Sequence, residues 1–175
     1  FTIGGKMPTV RQWCEAWLEG RTRISHGTRE GYKDSIGTMA GYIGHVKLDQ
    51  LTGHDIAAMW RKLEHGIAPD GTARRPLART TIRRYHATLS AALSAAVKSR
   101  HVGLAYDPLD DTEAALPEAG QTRTMHPLSE AEVHALFAAT RDAHEHALFV
   151  TLVTTGMRIG EAQALRWQNV DLKHR

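Results

Sequence analysis

The sequence predicts an all-α chain, and three observations carry that prediction. Apolar residues recur with a helical period in successive stretches along the chain. Thr9, Thr52 and Ser129 stand where helices would start, as side-chain caps. No run of alternating apolar and polar residues gives a credible strand, and no internal repeat is present.

The first helix opens at Thr9 and runs to Gly20, with Val10, Trp13, Cys14, Trp17 and Leu18 forming one apolar stripe. The second spans residues 26–43 and buries Tyr32, Ile36, Met39 and Ile43. Gly31, Gly37 and Gly41 weaken it, so it depends on tertiary packing, and Gly44 stops it. The third starts at Thr52 with Asp55 three residues on, a variant capping box, and turns Ile56, Met59, Trp60 and Leu63 inward. Gly66, Pro69, Gly71 and Pro76 mark a loop over 66–76. The fourth helix covers about 78–99. At 100° per residue, Ile82, Tyr85, Leu89, Ala92, Leu93 and Ala96 fall on one side. Thr80, Arg83, Arg84, Ala87, Ala91, Ser94 and Lys98 fall on the other.

Gly103, Pro108, Pro117 and Gly120, together with an acidic run, mark a boundary. The expected organisation is a first domain over 1–108, a linker over 109–124 and a second domain over 125–175. Past the linker, Ser129 and Glu132 form a capping box and Leu128 and Val133 a hydrophobic staple. That helix reaches about Thr140. The next, residues 145–155, is apolar almost all round and is expected to be central in its domain. Gly156 ends it.

With 42% hydrophobic residues among 175, the chain can bury a core and is not expected to be disordered. No apolar run approaches the roughly eighteen residues of a membrane span, and residues 1–10 lack a signal-peptide layout. Cys14 is the single cysteine, so an internal disulfide is excluded, and a reducing, cytoplasmic setting is expected. Eleven histidines include the cluster His144, Glu145 and His146, but no third ligand stands at a recognisable spacing and no metal is expected. Gly4, Gly5 and Lys6 lack the strand and helix of a phosphate-binding loop.

The net charge of +3 is unevenly spread. Residues 66–102 hold seven Lys and Arg against Asp70 alone, whereas 103–121 hold five acids and no base. A basic block on one helix suits either a polyanion partner or an ordinary solvated face. The outer face of the fourth helix mixes bases with small residues. Small side chains allow close approach to another surface, and the flanking Arg and Lys can reach phosphates.

The stretch from Leu152 to Leu172 places Arg158 just after an apolar helix and a glycine, with Glu161 three residues on. An arginine held by a core and oriented by a carboxylate makes a preorganised phosphate clamp. The same spacing also makes a plain structural Arg–Glu pair.

This stretch closely resembles the first catalytic box of tyrosine recombinases and phage integrases: an apolar helix, T-G-x-R-x-x-E, then L-x-W-x-D-[VI]-D. The matches are Thr155, Gly156, Arg158, Glu161, Leu165, Trp167, Val170 and Asp171, with Asn169 where an acid is usual. Upstream, Thr28, Tyr32, Ile43, Gly44, Leu48, Leu51, Thr52, Thr80, Thr81 and the Ala-rich fourth helix ending near Asp107 and Pro108 are similar to the family's core-binding domain. Pro127 to Leu136 is similar to the first catalytic helix.

The resemblance implies a SAM-like core-binding helical bundle followed by the first helices of a truncated α+β catalytic domain. It makes Arg158 the first of two arginines on the scissile phosphate and Glu161 the acid supporting them. It implies duplex DNA as partner, a tetramer on DNA and no metal or cofactor. The residues expected against DNA are Arg29 and Lys33 on the second helix and Arg79, Thr80, Arg83, Arg84, Ala87 and Lys98 on the fourth. The family's lysine, H-x-x-R box and nucleophilic tyrosine are expected after residue 175. Tyr32, Tyr42, Tyr85 and Tyr106 all precede Arg158. The chain itself is therefore not expected to cleave DNA. The rival expectation is a non-catalytic, helix-turn-helix-like regulator, which leaves residues 152–172 unexplained.

Overall fold

The computed structural model describes residues 7–111 and 124–171. The chain divides into two compact units, Phe1–Gln121 and Thr122–Arg175. Among the described residues the regular structure is helical, with two isolated β-bridges and no strand.

In the first unit, α1 (Val10–Glu19), α2 (His26–Ile43), α3 (Gly53–His65) and α4 (Arg79–Lys98) surround one core. The caps form as the sequence predicts. Thr9 and Gln12 close a capping box on α1, and Thr52 and Asp55 close one on α3. Such a cap stabilises a helix start by about 1 kcal/mol. Val10 N–H donates to the Val46 carbonyl at 2.9 Å and Leu48 N–H to the Pro8 carbonyl at 3.0 Å. These bonds fasten the start of α1 to the turn after α2.

Helix α4 packs against α1, α2 and α3. Its inward side chains explain why: Ile82, Leu89, Ala92, Leu93 and Ala96 are each 0% exposed. The two alanines leave room for α1, whose Trp13 donates its indole N–H to the Ala92 carbonyl at 2.7 Å. Tyr32, expected in the core, is half-buried instead and meets Trp17 edge-on at 5.3 Å. Ser35 and Ala40 take buried places on that helix. The Ser35 hydroxyl is satisfied by donating back to the Gly31 carbonyl at 2.8 Å. Trp60 is 1% exposed, and its indole N–H has no hydrogen-bond acceptor among the described residues.

Gly66 ends α3 at φ +68. A Cβ there would lie 2.4 Å from the Arg74 carbonyl oxygen, so only glycine lets the returning loop close on the helix end. The packed part of this unit extends past residue 108. Leu109 lies against the core, and Asp111 accepts from the Gly53 backbone N–H at 3.3 Å. The start of the expected linker thus belongs to the bundle, because it covers and caps the beginning of α3. Residues 112–123 of that linker lie outside the described residues.

The second unit contains α5 (Glu130–Ala138), α6 (Ala143–Thr155) and α7 (Ile159–Gln163). Ser129 and Glu132 form the expected capping box, whereas Leu128 of the proposed staple stays 57% exposed. Helix α6 packs on α5 and α7. It is central as expected, the helix that meets both neighbours, but none of its side chains is buried. The helix is apolar on almost every side. Two short neighbours cannot cover every side of such a helix, and Val153 remains 44% exposed.

Candidate nucleic-acid interface

The first turns of α4 bring together most of the expected DNA-facing residues. Arg79, Thr80, Arg83, Arg84 and Ala87 are exposed, while Ile82, Tyr85 and Leu89 between them are buried. The core thus fixes the rotation of the helix, and the rotation fixes which cations face out. The outer face does not continue along the whole helix as the sequence suggested. Ala91 packs against the core, and Ser94 is half-buried with its hydroxyl 3.4 Å from Asp107 Oδ2. Lys98 is exposed, but eleven residues past Ala87 it stands roughly 16 Å further along the axis.

Two of the arginines have acidic partners that the sequence did not reveal. Arg79 Nε donates to Glu64 Oε1 of α3 at 2.8 Å. Arg84 Nη2 donates to Asp34 Oδ2 of α2 at 2.8 Å, and the Tyr85 hydroxyl donates to the same oxygen at 3.2 Å. Arg84 also leans over the Tyr85 ring, 5.4 Å from its centroid. Both Arg84 and Asp34 keep 56% of their side-chain surface in solvent, so water screens the pair and it can exchange partners. No described ion pair includes Arg83. Its charge, together with partial burial, lowers the pKa of His86, burial being the larger cause.

The two expected α2 positions behave differently. Arg29 donates Nη1 to the Leu18 carbonyl at 3.2 Å and Nη2 to the Arg21 carbonyl, closing the C-terminal end of α1. That is a structural task. Lys33 pairs with Glu30 at 2.8 Å in full view of solvent. The bond holds the Glu30 carboxyl below its ordinary range.

In the second unit, the path from Thr155 to Glu161 makes a compact turn. Gly156 adopts φ +68 and ends α6, and the Met157 N–H donates to Thr155 Oγ1 at 3.3 Å. Arg158 then precedes α7. Glu161 accepts the Arg158 backbone N–H at 2.9 Å with one oxygen and Arg158 Nη1 at 3.2 Å with the other. The carboxylate therefore caps the helix and orients the guanidinium together. The arginine is 88% exposed, so the partner expected from the sequence is present, but the expected core support is not.

Among the described residues, no group of three His, Cys, Asp or Glu side chains is placed to hold a metal ion. No helix among them is long and apolar enough to cross a membrane.

No protein-family model matches the sequence, and no curated protein matches it. Solved structures do. The Tn1549 transposon integrase in complex with circular intermediate DNA superposes with a TM-score of 0.73 at 22% identity, over 96% of this chain and 52% of that one. The same integrase with transposon right end DNA gives 0.71 at 22% identity, over 93% and 49%. The chain thus spans about half the length of the integrases it matches. Among the described residues, a helical bundle with a basic helix turned outward, followed by a smaller helical unit, has the fold of the transposon integrase over about half of that solved chain.

Proposed function

We propose that this chain is the duplex-DNA-binding portion of a site-specific tyrosine recombinase of the integrase type. Residues 1–108, with the 109–111 segment that packs on them, are its core-binding domain, the rest of 109–124 its linker and 125–175 the start of its catalytic domain. One observation carries the reading: the exposed start of α4 presents Thr80, Arg83, Arg84 and Ala87 on a helix whose opposite side is locked in the core. A cationic face with small residues at its centre lets a helix approach a polyanion closely. The integrase fold supports the same assignment, since the integrases that share it were solved with DNA.

Arg158 is the phosphate-gripping arginine of this reading, and Glu161 positions it. An exposed, carboxylate-oriented guanidinium suits bidentate contact with a phosphate that arrives from outside. One arginine stabilises only part of the charge that develops during phosphoryl transfer. Strand cleavage through a tyrosyl phosphate, on a tetramer of the intact recombinase, is therefore assigned to that intact protein. A helix-turn-helix-like regulator would use the same α4 face but gives no role to the turn at Arg158.

The test is duplex binding by two variants. Ala87→Glu adds bulk and negative charge to the face without touching the core and should abolish binding while the melting temperature holds. Leu89→Ala empties a fully buried site and should lower stability by about 2–5 kcal/mol. Unchanged binding by Ala87→Glu would assign the interface elsewhere.

A further inference from the structure

We infer that Asp34 is a specificity-determining residue of the α4 interface, one that holds Arg84 back from duplexes that do not fit. The inference rests on the duplex-binding reading above. Asp34 Oδ2 receives two donors, Arg84 Nη2 at 2.8 Å and the Tyr85 hydroxyl at 3.2 Å. Thr38, one turn further along α2, stands 3.4 Å from that hydroxyl. The Tyr85 ring is 4% exposed. The buried tyrosine thus tethers the carboxylate beside α4, so moving Asp34 away with its arginine costs a second hydrogen bond.

The consequence for binding follows from charge. A phosphate that is to use Arg84 must compete with a carboxylate already bonded to it. It must also approach a negative charge that the core holds at the seam of α2 and α4. Any duplex meets that repulsion, and only one whose backbone path reaches Arg84 while clearing Asp34 recovers the contact. The acid therefore subtracts most from indiscriminate binding, which is how a like charge sharpens discrimination. Glu64 repeats the arrangement on the other flank, holding Arg79 from α3 at 2.8 Å. Each of these two helices packed beside α4 thus contributes one acid to its basic start.

A four-way comparison tests this with the full chain and a labelled random-sequence duplex, titrated by fluorescence anisotropy over a salt series. The proteins are wild type, Asp34→Asn, Arg84→Ala and the double variant. Asparagine keeps an acceptor for Tyr85, so the fold should stand, and Glu64→Gln removes the acid charge on the other flank as an independent second comparison. Asp34→Asn should tighten binding by about two- to five-fold, the range of an exposed pair. It should also steepen the log–log salt slope by nearly one, as expected for one added phosphate contact. In the Arg84→Ala background the gain should largely vanish. An equal gain in both backgrounds overturns the inference, because Asp34 would then be a nearby charge and nothing more. Weaker or unchanged binding by Asp34→Asn overturns it too. If wild type and every variant fail to bind at low salt, the duplex reading itself falls and takes this inference with it. That outcome is distinct from those in which wild type binds.

Discussion

The indole nitrogen of Trp13 donates to the carbonyl of Ala92 at 2.7 Å, joining α1 to the middle of α4 across 79 residues of sequence. This bond and the 0% exposure of Ala92 place α1 directly on the back of the helix that carries the basic face. Trp13→Phe keeps an aromatic ring but removes the donor. The expected loss is about 1 kcal/mol of unfolding free energy, read from urea denaturation. An unchanged midpoint would mean that the bond contributes nothing to this packing.

Cys14 is expected to be inert in the native protein. Burial, and to a lesser degree the charge of Glu15, pushes its thiol up to about 12. The thiolate is the reactive form, so a thiol reagent at mildly alkaline pH should label it only as fast as the bundle opens. Labelling should become rapid in denaturant. Fast labelling without denaturant would show that α1 leaves the core.

The position of His86 predicts a pH dependence of stability. Partial burial, then the nearby Arg83, lowers its pKa from the ordinary 6.5, and Asp107 offsets part of that shift. The folded state therefore binds this proton more weakly than the unfolded chain does. Its contribution is present above about 6.5 and is lost as pH falls through the lower folded value. Melting curves between neutral and mildly acidic pH should show a drop in wild type that His86→Gln reduces. A drop of equal size in the variant would assign the acid sensitivity to other groups.

Much of the fold was legible because it rests on local chemistry. The stripe from Val10 to Leu18, the Thr9 and Thr52 caps and the inward residues of α4 each lie within a few turns of sequence and appear in the structure as expected. The exposed start of α4 was legible for the same reason. Long-range pairing was not. Asp34 and Arg84 are 50 residues apart, and no spacing rule connects them. Arg29 looked like a surface cation because composition cannot reveal that backbone carbonyls of α1 stand within its reach. In the second unit, periodicity told which sides of α6 are apolar but not how many neighbours it has. That is why its sides stay partly exposed although its terminating Gly156 appears as expected.

The salt dependence of duplex binding tests the account most directly, because it counts phosphates rather than contacts. If the basic block of residues 66–102, with the start of α4 at its centre, engages about four to six phosphates, the logarithm of the affinity should fall with the logarithm of salt at a slope of roughly −4 to −5. Dissociation constants on a random-sequence duplex should sit near 10⁻⁴ to 10⁻⁶ M, on the order usual for non-specific binding at physiological salt. Ala87→Glu should abolish that binding. Salt-independent binding, or no binding even at low salt, would contradict the claim that this helix is built to meet DNA.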